Sequence, residues 1–322
     1  MKSFYWLVKR EFWEHKGGFV TAPIVAGIIA LVLNLMLLIT TEVLGRRWAG
    51  VGKGDSFHTN FDGAFNGDNL VQAGAVLDMT LYGVTFLILG VMAIVVFFYC
   101  LGALYDDRRD RSILFWKSLP LSDTNTVLSK AASAVVVAPA IAVVTGVISG
   151  LLLMVVVAIF ATFHGVPAWR LLMEAHPFRV VFTLLLLLPL YAIWALPTLG
   201  WLMLCSAWAR SKPFLWAIAL PIAAGIVVSW FGLMGLFNRG SGWFWANVVG
   251  RLLGSLVPGG WVGQNNELII MHGHDDPASV LQSLDLAYHY SALANPSTWI
   301  GAIAGVAMIA GAIWFRRWRD DS

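Results

Sequence analysis

The sequence predicts an all-α integral membrane protein with six membrane-spanning helices. Of its 322 residues, 59% are hydrophobic and only 12% are charged, whereas a soluble domain carries about 25% charged residues. A soluble core cannot absorb that much apolar surface, so the excess must face lipid. A spanning helix needs about 20 apolar residues, and uncharged runs of that kind occur six times. They lie at 19–41, 81–104, 131–163, 180–209, 213–238 and 296–315.

Residues 3–16, before the first run, predict an amphipathic helix. Apolar residues recur there at spacings of three and four, at Phe4, Leu7, Val8 and Phe12. Lys9, Arg10, Glu14 and Lys16 take other faces, so the helix would lie in the inner headgroup layer. The alternative is a charged extension of the first span.

Basic residues predict the orientation of the chain. With the N-terminus inside, the inner segments hold 14 Lys and Arg residues and the outer segments hold 7. Because inner loops of membrane proteins are enriched in these residues, both termini are predicted to be cytoplasmic. The expected location is the cytoplasmic (inner) membrane of a bacterium.

The two long outer segments differ in character. Residues 44–79 are rich in Gly, Asp and Asn and predict a loop that can hold one helix near Leu70–Leu77, whereas 239–295 contains a mostly apolar stretch, Trp243–Val257. That stretch is too short to span, which favours a re-entrant or interfacial helix. Counting it as a seventh span would place the termini on opposite sides.

The inner loop at 106–122 is the most informative segment. A cluster of charges leads into a short apolar stretch that a proline ends. Its residues of interest are Asp106, Asp107, Arg108, Arg109, Arg111, Ile113, Leu114, Phe115, Trp116, Leu119 and Pro120. The apolar side chains are poorly suited to water, so they would dock in a groove of another protein or lie on the membrane surface.

Several kinds of chemistry have no sequence signature here. The nearest match to a phosphate-binding loop, Gly45–Gly50, is not followed by Lys-Ser or Lys-Thr, so the chain is not expected to bind or hydrolyse nucleotide or to hold a cofactor. A net charge of +3 does not point to nucleic acid. His272, His274 and Asp275 are the candidate metal ligands, but the segment has no second close pair of ligands, so a solvated outer loop is favoured and no metal is expected.

The six apolar runs contain no ionisable residue, which argues against an ion-coupled transporter and against a membrane enzyme. Among the mild polar residues, Asn34, Thr40 and Thr85 are candidates for lining a substrate path. Hydrogen bonds between helices are the alternative role. The pairs Gly146/Gly150 and Gly301/Gly305 predict close helix packing.

This pattern resembles the permease subunits of type 2 ATP-binding-cassette (ABC) exporters over nearly the whole chain. The resemblance rests on four features. They are the N-terminal helix with Lys9, Arg10, Glu11 and Phe12, the charged loop running through Ser112–Ser122, the six spans, and the broken apolar segment before the last span.

The resemblance implies a single transmembrane domain over 1–322 and a division of labour between chains. The first helix would be an elbow helix, and Ile113–Leu119 would be a coupling helix seated in a cleft of a separate ATPase. Two ATPase copies carrying ATP and Mg would work with two permease copies, expected to be a homodimer. The uncharged spans suit an amphiphilic or apolar substrate, such as a lipid, peptide or drug. A membrane-embedded enzyme acting on lipid-linked substrates, or a non-catalytic anchor or sensor subunit, are the alternatives.

Overall fold

The computed structural model describes residues 2–49, 67–110, 122–163, 168–234, 241–262 and 285–318. The described residues are about 91% helical and contain no strand. Six of their helices are long and apolar enough to cross a membrane, which confirms the predicted number of spans and the multi-pass character. These helices are α2 (Ala22–Ala49), α3 (Gly67–Gly102), α6 (Ala138–Phe163), α8 (Pro177–Trp208), α9 (Pro213–Leu233) and α13 (Pro296–Trp318).

Shorter helices flank these spans. They are α1 (Lys2–Glu14), α4 (Tyr105–Arg109), α5 (Asp123–Ala132), α7 (Ala168–Glu174), α10 (Ser241–Phe244), α11 (Gly250–Gly254) and α12 (Leu286–Tyr290). Ser122 caps α5, because its hydroxyl accepts from the amide of Asn125 at 3.2 Å. A π-helical turn, Ser133–Val137, then carries α5 directly into α6, so the third span begins within α5.

The α1 helix leads into the first span through a second π-helical turn, Gly17–Thr21. One face of α1 is buried, with Leu7 and Glu11, and the opposite face exposes Tyr5, Trp6 and Trp13. A helix is therefore present where the amphipathic helix is predicted, and it is buried on one face. Its position relative to the headgroups stays a prediction.

Glycines allow the long helices to approach closely. A Cβ atom on Gly305 of α13 would overlap the carbonyl group of Leu196 on α8, and one on Gly146 of α6 would lie 2.8 Å from the Cα of Thr85 on α3. Gly150 likewise faces Leu81, and Gly301 lies beside α8. Both predicted small-residue pairs therefore mark helix contacts, where the missing side chains let backbones meet.

Residues 241–262, which we call the wedge segment, pack against α8 and α9. Trp245 donates its indole N–H to the hydroxyl of Ser229 at 2.8 Å, and Tyr191 donates its hydroxyl to the carbonyl of Leu256 at 2.9 Å. No helix in the described part of the wedge segment has the length of a span. Its re-entrant placement in the membrane stays a prediction.

Candidate functional site: a charged network joining the helix ends

Glu11 of α1 lies at the centre of a buried charged network. Its side chain is fully buried, and the ammonium of Lys130 on α5 lies 3.4 Å from its Oε1 atom. Arg10 donates to the same oxygen at 2.7 Å. Tyr99 of α3 donates its hydroxyl to the other oxygen, Oε2, at 3.0 Å. Both carboxylate oxygens of Glu11 are therefore engaged.

The network continues from Lys130 to the last span. Lys130 also lies 3.5 Å from Oδ1 of Asp107 on α4. Arg316 of α13 contacts Oδ2 of the same carboxylate at 2.9 Å and reaches Asp123 of α5 with its Nε atom at 3.2 Å. Asp107 thus bridges two buried cations that are far apart in the sequence.

Arg108, next to Asp107, connects α4 to the end of α8. Its Nη2 atom donates to the carbonyl oxygens of Ser206 at 2.6 Å and Ala209 at 2.9 Å. The Ser206 hydroxyl accepts from the backbone amides of Leu104 and Tyr105, both at 3.0 Å. Polar contacts therefore tie the start of the inner loop to the fourth span as well as to the third and sixth.

Among the described residues, the ion pairs of the network join three carboxylates to three cations. Its acidic members are Glu11, Asp107 and Asp123, and its basic members are Arg10, Lys130 and Arg316. Removing charges from water is costly, and only good pairing offsets that cost. Three cations facing three carboxylates meet this condition, so the cluster holds the helix ends in one arrangement. Removing any one member would leave a buried charge without its partner.

The geometry also fixes which helix ends share a side. The network joins α1, the end of α3, the start of the third span, the end of α8 and the end of α13. The first and last described helices therefore have their terminal ends on the same side of the bundle. A chain that crosses the membrane six times, which is an even number, also has both of its ends on one side.

The predicted elbow residues divide between the network and its surroundings. Arg10 and Glu11 belong to the network, and Phe12 packs against the hydrophobic core. Lys9 is exposed, with its ammonium 4.8 Å from the ring centre of Trp6.

The predicted coupling residues are only partly described. Asp107 and Arg108 make the contacts above, whereas Asp106 and Arg109 are exposed. The remaining residues lie outside the described part of the chain. They are Arg111, Ile113, Leu114, Phe115, Trp116, Leu119 and Pro120.

The three candidate path-lining residues each donate a hydrogen bond within their own helix. Asn34 and Thr40 on α2 donate to Ala30 and Met36 of their own helix, at 2.8 and 2.7 Å. Thr85 donates to Leu81 within α3 at 2.9 Å. These contacts lie within single helices, so none of them is a bond between helices. A substrate path along these residues stays a prediction.

The candidate metal ligands His272, His274 and Asp275 lie outside the described residues. Within the described part of the chain, Glu11, Glu14 and His15 have ligand atoms within 4.8 Å of one another. Both oxygens of Glu11 already take part in the network, however. A cation there would compete with Arg10 and Lys130.

Sequence reasoning missed that charged side chains enter the span helices. The apolar runs contain none, but the helices extend past the runs. Asp78 on α3 is 7% exposed and accepts from the amide of His176 at 3.0 Å. Lys130 and Arg316 are buried at the ends of their spans that meet the network. Their only signal in the sequence is a charge placed directly beside an apolar run.

The chain matches no protein-family model, no curated protein and no solved structure.

Proposed function

We propose that this chain is the membrane-spanning permease subunit of an ATP-driven ABC exporter. It moves an amphiphilic or apolar substrate, such as a lipid, peptide or drug-like molecule, out of the cytoplasm. A separate ATPase subunit, docked on the 106–122 loop, supplies the energy and carries ATP and Mg. The chain itself has no catalytic role.

The observation that carries this proposal is the network around Asp107. This residue lies at the start of the 106–122 loop and makes ion pairs to Lys130 and Arg316. Lys130 in turn contacts Glu11 of the N-terminal helix. A displacement of the loop by a partner protein would therefore reach three helices through buried contacts, which is what a coupling element requires.

The contacts of Arg108 support the same function. Two backbone carbonyls at the end of α8 accept from its guanidinium, and α8 packs closely on α13 at Gly305. Motion of α4 would thus move the fourth and sixth spans together. A membrane anchor with no mechanical role would not need so many buried charges at this one place.

The exposed surfaces suit a lipid environment and a second permease copy. The first and fifth spans are the least buried of the six. Only 22% and 17% of their most apolar stretches lie inside the described structure. Exposed apolar helix faces of this kind contact lipid tails or other membrane helices. We infer an assembly of two permeases and two ATPases, with the permease as a homodimer.

Co-purification tests the proposal most directly. The tagged chain is expressed with its genomic neighbours, extracted in a mild detergent, and the proteins that accompany it are identified. We expect an ABC ATPase in a 2:2 complex. Leu114→Glu and Phe115→Glu should each release it, because a charge in a docked apolar stretch opposes burial.

Met173→Glu is the matched control. Met173 is 74% exposed on α7, which lies on the opposite side from the network, so the ATPase should be retained. If no ATPase copurifies and the pure chain converts lipid-linked material alone, the exporter proposal fails in favour of the membrane-embedded enzyme.

A further inference from the structure

The exposed face of α1 and the residues just after it carry the same local arrangement twice, a tryptophan followed three residues later by a lysine. The ammonium of Lys9 lies 4.8 Å from the ring centre of Trp6, and that of Lys16 lies 5.2 Å from the ring centre of Trp13. All four side chains are exposed. We call them the two Trp–Lys pairs. Each pair combines an amphipathic ring with a cation.

The two pairs lie along the same side of the helix. Both members recur after seven residues, which is two helical turns, or about 10.5 Å. The helical backbone continues between the pairs, since the amide of His15 donates to the carbonyl of Glu11 at 3.0 Å. Leu7 and Glu11 are buried on the other side of the helix, so both pairs face away from the bundle.

The two lysines have no acidic partner among the described residues, because no carboxylate there forms an ion pair with either of them. The neighbouring Arg10 is different, since it contacts Glu11 and Glu14 at 2.7 and 3.7 Å. An ammonium has three N–H donors, and contact with one aromatic face does not use them all. Each lysine can therefore donate to an anion that approaches from outside the protein.

Further exposed tryptophans lie at the same end of the bundle. The network joins α1 to the end of α13, where Trp314 and Trp318 are each more than half exposed and Arg316 makes its buried ion pairs. Tryptophan is enriched where membrane lipid meets water, because its ring sits well at the level of the headgroups. The tryptophans at this end of the structure therefore indicate the headgroup level of one leaflet.

We propose that the two Trp–Lys pairs bind the phosphate groups of anionic phospholipids in this leaflet. Each ammonium donates to a phosphate oxygen, and the adjacent ring lies against the apolar part of the same lipid. A lysine near an anionic membrane surface contributes about fivefold to the affinity. The charge of the lipid, and not only its apolar part, then decides how firmly α1 is held at the membrane.

Arg251 of the wedge segment shows why exposure matters for such a site. Its guanidinium also lies over a tryptophan ring, 3.8 Å from the centre of that of Trp194, and no carboxylate in the described ranges pairs with it. The residue is 6% exposed, however, and a Cβ atom on Gly301 would overlap its Nη2 atom. A lipid headgroup cannot reach a cation enclosed in this way, whereas it can reach the lysines of the two Trp–Lys pairs.

Lipid bound to the two pairs would also stabilise the bundle. The opposite face of α1 holds Glu11, which lies 3.4 Å from Lys130, and Phe12 packs against the hydrophobic core. A ligand that binds the folded protein and not the unfolded chain raises the stability by mass action. The unfolding temperature should therefore depend on the charge of the lipid.

This inference does not rest on the exporter proposal, since it concerns lipid binding by this chain alone. The test uses the pure full-length chain in a neutral maltoside detergent, with no ATPase present. Native mass spectrometry compares phosphatidylglycerol with phosphatidylcholine of the same acyl chains, and with glycerol 3-phosphate as the free headgroup. We expect two sites that each bind phosphatidylglycerol about fivefold more tightly than phosphatidylcholine. Glycerol 3-phosphate should bind more weakly than phosphatidylglycerol.

Substitution of the lysines should remove these sites one at a time. Lys9→Gln and Lys16→Gln should each bind one phosphatidylglycerol molecule fewer than the natural protein, and the double variant should bind two fewer. Replacing both lysines by arginine keeps the charge and should preserve both sites. Arg179→Gln is the matched control. Arg179 is exposed but its charge interacts with the carboxylate of Asp78, so the number of bound lipids should not change.

The unfolding temperature gives a second readout. Phosphatidylglycerol should raise it less in the double glutamine variant than in the natural protein, whereas without lipid both should unfold at the same temperature, because the two lysines are exposed. Unchanged binding of phosphatidylglycerol by the double variant would overturn the proposal. Unchanged lipid binding together with loss of a copurifying ATPase would assign this face to that partner instead. Glycerol 3-phosphate binding as tightly as phosphatidylglycerol would overturn the role of the membrane lipid.

Discussion

Lys130, at the start of the third span, holds its ammonium 3.4 Å from the carboxylate of Glu11 on the N-terminal helix, and both side chains are almost completely removed from water. This contact joins an amphipathic helix to the transmembrane bundle through charge as well as apolar packing. Because both charges are buried, removal of either one would leave the other without its partner.

Replacing Glu11 by Gln should destabilise the protein by about 3 kcal/mol, because Lys130 and Arg10 lose a buried carboxylate. Thermal or denaturant unfolding in detergent measures the change. Glu14→Gln on the same helix is the control. Its side chain is 57% exposed, so a change within about 0.5 kcal/mol is expected, and an equal effect of both variants would refute the central role of Glu11.

Asp107 and Arg316 should show strong energetic coupling. A double-mutant cycle with Asp107→Asn and Arg316→Gln is expected to give about 2 kcal/mol, since the two groups are in direct contact within one network. The partly exposed pair Arg10–Glu14, whose atoms are 3.7 Å apart and in which Glu14 is 57% exposed, should give less than about 0.5 kcal/mol. Additive effects at Asp107 and Arg316 would show that their contact does not hold α4 to α13.

Gly305→Ala should separate α8 from α13 and lower the unfolding temperature, because the new methyl group would overlap the backbone of Leu196. The comparison variant is Gly90→Ala on α3. Nothing lies within 4 Å of a Cβ atom there, so alanine should stabilise the helix by up to about 1 kcal/mol. Opposite signs at these two glycines are the expected result, and the same sign at both would contradict the close contact.

Acidification should loosen the region around His289. Burial lowers the pKa of His289, and the smaller effect of nearby Asp285 raises it. The unfolded chain therefore binds the proton more tightly, and the free energy of unfolding falls as the pH drops from about 6.5 to the lower pKa of the folded state. A proton on Nδ1 would also displace the indole N–H of Trp261, which donates to that atom at 3.0 Å.

Unfolding temperatures at pH 7.5 and pH 5.5 test this prediction. The loss on acidification should be smaller in His289→Gln than in the natural protein. An unchanged loss would assign the pH dependence to other groups.

Cysteine labelling should place both ends of the chain in the cytoplasm. Glu14→Cys and Arg317→Cys should react only after the inner membrane is made permeable, whereas Arg170→Cys should react in intact spheroplasts. All three positions are exposed. The native Cys100 and Cys205 are 0% and 2% exposed, so they should not react with the label. Reaction of Glu14→Cys and Arg317→Cys under different conditions would contradict the shared side.

The predicted spans agree with the helices because lipid partitioning depends on local composition. A run such as 213–238 has few alternatives to a membrane helix, and α9 begins at Pro213 as predicted. The same argument fails at the ends of spans. The second run begins at residue 81, but α3 begins at Gly67 and carries the buried Asp78, because a helix continues past the apolar run when tertiary contacts satisfy its polar groups.

Within the described residues, the network has almost no local signature. Asp107 and Arg316 are 209 positions apart, and a charge next to an apolar run is as common at a solvated helix end as at a buried one. Arg251 is similar, since one arginine in an apolar stretch does not reveal whether it faces headgroups or Trp194. The charges of the inner loop are visible in the sequence, but only their partners distinguish Asp107 and Arg108 from the exposed Asp106 and Arg109.

The sequence by itself determined the membrane class and the number of spans, because these follow from the transfer of apolar residues out of water. Only the tertiary structure decided which charges are buried, which pair, and that Arg251 has no carboxylate partner among the described residues. Such pairing depends on distances of a few ångströms between side chains of different helices. Helix packing sets those distances, and local composition does not.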